Sequence, residues 1–139
     1  MKNIEIIARG LCIQNEHILV CQHTQKNYFY LPGGHVKFFE TTTAALQREW
    51  LEELNCTCVI EKYLAFFEER FIEFNKKHHE YTFLYQVSCP ELNAQKVISS
   101  FEPFLKFQWL KLEVLLTQNL LPLSTKNYIL SLTKNKTSI

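Results

Sequence analysis

A chain of 139 residues, 47% of them hydrophobic, is one ordinary domain with enough apolar material for a real core. A formal charge of +1 excludes a surface built to coat nucleic acid and excludes an acidic tail, so no nucleic-acid polymer is expected as a partner. No apolar run is long enough to span a bilayer, and five cysteines without metal-finger spacing predict thiols in a reducing cytoplasm rather than a disulfide framework.

The N-terminal apolar run is interrupted by Glu5 and Arg9 and does not read as a signal peptide. Ile4 to Ile13 and His17 to Cys21 are rich in apolar and β-branched residues and predict two strands, joined at Gln14-Asn15-Glu16. Tyr28 to Leu31 predicts a short strand leading into Pro32-Gly33-Gly34, a tight turn where backbone can approach a ligand closely. A helix over 42–54 follows. Cys56 and Cys58 alternate as on a strand, which points both thiols the same way and predicts burial. The extended stretch from Thr57 to Phe74, a turn at Asn75-Lys76-Lys77 and a strand from Glu80 to Val87 predict a hairpin. Pro90 to Pro103 reads as irregular, with Val97-Ile98 extended. Phe107 to Leu110 predicts a strand and Leu112 to Leu116 a short helix. Ser124 to Leu132 predicts a closing helix with Ser124 as its N-cap. A polar tail frays from Thr133, so the domain is expected over 1–135, with 136–139 outside it. Strands that alternate with helices predict an α/β fold with a mixed sheet packed between helices.

The helix carries the chemistry. At about 100° per residue, Glu49, Glu52 and Glu53 fall in one narrow arc, while Leu46, Trp50, Leu51 and Leu54 are expected on the core side. Like charges crowded together are unfavourable unless a cation neutralises them. Oxygen ligands on a rigid element suit Mg²⁺ or Mn²⁺, and no His or Cys joins them to suggest zinc. Taken alone, three clustered acids would read as a solvated face.

The upstream residues change that balance. From Gly34 the chain gives Gly, five residues, Glu40, seven residues, then Arg48-Glu49-Trp50-Leu51-Glu52-Glu53-Leu54-Asn55-Cys56. This resembles the Nudix box, GX5EX7REUXEEXGU with U a bulky apolar residue, and every charged position is present at its spacing. Asn55 stands where the box has its second Gly, and Asn is the next-best residue for a left-handed helix cap. Trp50, Cys56 and Phe39 depart from the commonest residues at positions that bear on packing and loop shape. Phe107-Gln108-Trp109-Leu110 also resembles the aromatic strand that closes this fold, so the likeness spans most of the chain.

The resemblance implies an α/β/α sandwich and a Mg²⁺-dependent hydrolase that splits the diphosphate of a small nucleoside diphosphate derivative. It makes Glu49, Glu52 and Glu53 metal ligands together with the backbone carbonyl of Gly33, and it has Arg48 orient nearby acids, Glu40 among them. Metal so held polarises a phosphoryl group and lowers the pKa of a bound water. The general base stays open between Glu102 in the loop before the Trp109 strand, Glu80, and Glu49 or Glu52 acting directly. Family habit makes a homodimer an expectation. The competing reading is a silent Nudix-fold domain that senses a nucleotide, although such domains usually lose helix acids that are retained here. Decapping would want more basic surface for RNA.

For substrate recognition, Phe38 and Phe39 are the aromatic candidates, because a loop offers less core than a strand does. Phe66, Phe67, Phe71 and Tyr63 read as packing residues first. Arg9 is a candidate phosphate contact beside Lys26, Lys37 and Arg70, and Glu80 a candidate substrate contact. Neighbours on a strand face opposite ways, so His78, His79 and Glu80 cannot all ligate one ion.

Overall fold

The computed structural model describes residues 3–93 and 98–134. Its elements are β1 (Glu5–Leu11), β2 (Ile13–Gln14), β3 (His17–His23), β4 (Gly33–His35), α1 (Thr42–Leu54), β5 (Val59–Glu73), β6 (Lys76–Ser88), β7 (Leu105–Lys111) and α2 (Leu123–Lys134), with a 3-10 helix at Leu112–Thr117. One sheet runs β4-β1-β6-β5 and the other β2-β3-β7. Among the strands of the described residues only β1 and β6 pair in parallel, so the first sheet is mixed and the second antiparallel. The expected single strand from Ile4 to Ile13 is thus two strands in two sheets, divided at buried Cys12.

Both hairpins close with two residues at positive φ, Asn15 and Glu16 between β2 and β3, Phe74 and Asn75 between β5 and β6. This is the backbone that matches the twist of paired strands. It moves the second turn one residue back from the one expected at Asn75-Lys76-Lys77, and Lys76 pairs with Glu73.

Two cores flank the sheets. On one side α1 buries Ala45, Leu46, Trp50 and Leu54 with Ala8, Leu19, Val87 and Phe107. On the other, Leu115 and Ile129 pack with Leu11, Ile18, Val20 and Leu84. The result is the α/β sandwich expected. Gly10 makes the α1 contact close, since a Cβ there would stand 2.8 Å from Cζ3 of Trp50.

Several local expectations need correction. Leu51 is 53% exposed. It lies roughly 60° past Leu54 around the helix, beyond the edge of the buried stripe. Tyr28 to Leu31 forms no strand; Tyr30 and Phe29 make single bridges to Cys21 and Leu120. The strand comes later, at Gly33–His35, because the two glycines can lie directly on β1. At Gly33 (φ 144°) a Cβ would sit 2.0 Å from the Ala8 carbonyl oxygen. Cys56 and Cys58 precede β5 rather than lie on it, although both are buried. Ser124 is inside α2, where its hydroxyl hydrogen-bonds the Glu69 carboxylate across the cleft instead of capping the helix. Thr133 and Lys134 are still helical. The expected extension at Val97 and the tail over 136–139 lie outside the described residues.

Candidate active site

The site is assembled from β4 and α1, and each is held where it must be. Thr41 caps α1 by accepting from the Ala44 N–H at 3.2 Å. At the other end Asn55 adopts the left-handed conformation (φ 52°, ψ 37°), its N–H donating to Leu51 O at 2.9 Å. Asn therefore does what the second glycine of the box would do. Gly34 lies flat against Glu49, and a Cβ there would fall 2.5 Å from the Glu49 carboxyl carbon. Helix and strand meet through bare backbone on one side and a carboxylate on the other.

Arg48 organises the outer edge. Its Nε and Nη2 donate to the two oxygens of Glu40 at 2.8 and 3.0 Å, and Nη2 also donates to His35 O at 3.0 Å. Its Nη1 donates to Glu49 at 3.0 Å and to Glu52 at 3.3 Å. A bidentate guanidinium–carboxylate pair combines geometry with charge. The Arg48 hydrogen bonds, followed by the Lys37 N–H, bring the Glu40 carboxyl down to about 2.

Glu53 is the opposite case. Burial, then the hydrogen-bonded and like-charged Glu49 beside it, push its carboxyl up to about 8. Arg9 pulls the other way, while Glu102 adds to the rise. Two carboxylates held this close in a half-buried place hold too little positive charge between them. A divalent cation would supply what is missing. The fit is good on chemistry: every side-chain donor here is a hard oxygen, and the Gly33–Gly34 backbone can approach without a side chain in the way.

These two acids open onto a cleft of about 690 Å³ bounded by β1, β4, α1, the distal parts of β5 and β6, and the segment before α2. Of the residues singled out from sequence as site candidates, the cleft brings together Arg9, Lys26, Gly33, Glu49, Glu53 and Glu80. Arg9 is fixed by donation to Leu31 O at 3.2 Å and by its guanidinium lying 5.2 Å from the Tyr30 ring centroid. Its charge is felt at both Glu53 and Glu80.

Other candidates lie elsewhere. Glu52 is half exposed at the outer edge with Arg48 and does not line the cleft. Glu102 does not line it either, yet its loop is docked on α1: the Phe101 N–H donates to Glu53 O at 2.8 Å, and Ser100 Oγ accepts from the Glu102 N–H at 3.1 Å. Phe38 and Phe39 stand 99% and 98% exposed and do not line the cleft. The reason is local: Phe39 sits at φ 69°, and the turn closed by Glu40 N–H to Lys37 O swings both rings outward. The aromatic wall comes instead from Tyr28, Tyr30, Phe71 and Phe104. Lys26 and Tyr28 both donate to Glu73, at 3.2 and 2.9 Å, and close the end of the cleft away from α1. Glu5 was also missed; its alternation with Ile7 and Arg9 on β1 was the available signal.

Residues 5–130 match the NUDIX domain of known protein families. The chain belongs to the Nudix family. Among solved structures, this Nudix chain resembles the MutT protein from Methanosarcina mazei Go1 with a TM-score of 0.68 and 21% identity, covering 97% of this chain and 96% of that one. It also resembles the E. coli dihydroneopterin triphosphate pyrophosphohydrolase (TM-score 0.65, 15% identity, 95% of each chain). A Nudix-family hydrolase from Clostridium perfringens gives a TM-score of 0.68 at 15% identity over 96% of this chain and 95% of that one. None of the curated proteins matches it in sequence. As a Nudix hydrolase, the protein is a pyrophosphohydrolase. No helix among the described residues is long and apolar enough to cross a membrane.

Proposed function

We propose that this Nudix hydrolase uses Mg²⁺ to cleave the diphosphate linkage of a small nucleoside diphosphate derivative, of the nucleoside triphosphate, ADP-ribose or dinucleotide class. The observation that carries the reading is the Glu49–Glu53 pair, short of positive charge and open to a cleft of nucleotide size. Glu49, Glu53 and the Gly33 carbonyl would hold the cation, with Glu52 completing the acidic edge. Bound there, Mg²⁺ supplies Lewis-acid polarisation of the phosphoryl oxygens.

The chain does the rest. Arg48 keeps Glu49 and Glu52 in place through hydrogen bonds and does not touch substrate. Arg9, immobilised between Leu31 O and Tyr30, offers a fixed positive charge to the phosphates. The proton released by the attacking water goes to a carboxylate: Glu49 at the cleft, or Glu102, whose charge bears on Glu53. Tyr28, Tyr30 and Phe71 provide flat apolar faces for a base or sugar. Five free thiols suit a reducing compartment such as cytoplasm.

The test is a panel with phosphate-release readout: ADP-ribose, NADH, dinucleoside polyphosphates, sugar nucleotides, and normal and oxidised nucleoside triphosphates. Dihydroneopterin triphosphate belongs in it because one fold relative is named for it. Turnover with Mg²⁺ that stops in excess chelator is expected. Binding by calorimetry without turnover of any panel member overturns the reading.

A further inference from the structure

At the side of the cleft away from α1, three strands bring two carboxylates and two imidazoles together. Glu5 on β1 and Glu80 on β6 are direct partners in the parallel register. His78 lies two residues before Glu80 and so shares its face. The His78 Nδ1 lies 3.7 Å from Glu5 Oε2, and His35 on β4 brings Nε2 to 3.2 Å from Glu5 Oε1. One ligand atom from each of Glu5, His78 and Glu80 lies within 4.8 Å of the others.

Like charges directly opposite on paired strands are destabilising. The pairing by imidazole goes to Glu5 alone: among the described residues, no Lys, Arg or His nitrogen forms an ion pair with Glu80. The His78 ring is also held in place, stacked on Phe71 at 4.8 Å between centroids with 10° between planes. That leaves a fixed imidazole, a carboxylate bridging two histidines and a second carboxylate that feels Arg9 and His35 only at a distance, with one ligand atom of each within reach of the others.

We infer that Glu5, His78 and Glu80 form a second divalent-cation site, with His35 at its rim, built for borderline metals such as Zn²⁺ rather than for Mg²⁺. Imidazole mixed with carboxylate favours those ions, whereas the all-oxygen set on α1 favours the harder one. Arg9 stands between the two sites, since its charge reaches Glu53 on one side and Glu80 on the other. A metal here would face the part of a bound substrate remote from the α1 carboxylates.

Calorimetric titration of the whole protein with Zn²⁺, in saturating Mg²⁺ to fill the α1 site, tests this. One equivalent should bind. Affinity should fall at least tenfold in His78→Asn and in Glu5→Gln, with folding of each checked by circular dichroism, and should be unchanged in Glu53→Gln. Cobalt substitution should give visible absorption without a thiolate charge-transfer band. Absence of Zn²⁺ binding, equal binding by wild type and His78→Asn, or a cobalt–thiolate band placing the metal on the cysteines would each overturn it. Hydrolysis with Mg²⁺ alone is a separate measurement, so failure here leaves the α1 site untouched.

Discussion

Glu40 and Glu53 belong to one motif, yet their surroundings drive them in opposite directions. Glu40 is gripped by Arg48 and held ionised down to about 2. Glu53 is half buried beside another carboxylate, and its ionisation is deferred to about 8. The box therefore contains two kinds of acid: one that completes a structural network, and one whose unfavourable environment is relieved only by a cation. Spacing alone shows both as Glu.

The largest effect should come from Glu53→Gln. It removes a proposed oxygen ligand while leaving the Arg48 network intact, and the rate should fall on the order of 10²-fold or more, measured as initial velocity at saturating Mg²⁺. Thermal unfolding should show no loss of metal-free stability; a large loss would mean that Glu53 is as structural as Glu40. Arg48→Ala attacks the other kind. Losing its bonds to Glu40, Glu49, Glu52 and His35 O should cost about 1–2 kcal/mol in denaturant titration and lower the rate about tenfold by freeing the metal-facing acids.

The pH response separates the two acids further. Glu53 has a folded value raised above the ordinary 4.5. Its contribution is therefore fully present below that value and is lost as pH rises through about 8. Glu40, depressed to about 2, contributes stability above 4.5 that disappears only as pH falls towards 2. In chelator, the wild-type melting temperature should drop by roughly 5 °C between pH 5 and pH 9. Added Mg²⁺ or the Glu53→Gln change should flatten that slope, and an unchanged slope in the variant would assign it elsewhere. The smallest effect should be Asn55→Ala. A residue with a Cβ but no polar side-chain group to hydrogen-bond locally is disfavoured at φ 52°, so about 1 kcal/mol should be lost, with activity per folded molecule unchanged.

The helix, its register and its acids were legible because they are local. A run of 13 residues with a period near 3.6 and a cap at each end carries its own address. The cleft was not legible in the same way. Phe38 and Phe39 looked like stacking residues because a loop offers them less core, but a single positive φ turns them outward, away from the cleft. Tyr28 and Phe71 reach the cleft only through strand pairing and chain crossings between distant segments. Likewise, Glu5 and Glu80 meet through a parallel register spanning most of the first sheet. Nothing within a few residues of either one announces the other.

The β5–β6 hairpin outruns its neighbour. β1 pairs with β6 only from Glu80 onward, so Lys76 to His79 is bonded on one side alone, to Arg70 through Glu73. A ribbon of two strands bends far more readily than a four-stranded sheet. Phe71, Ile72, Glu73 and His78 on this overhang line the cleft, and it is side-chain ties, Glu73 to Lys26 and Tyr28 and His78 to Glu5, that hold it against the rest of the molecule where backbone pairing stops.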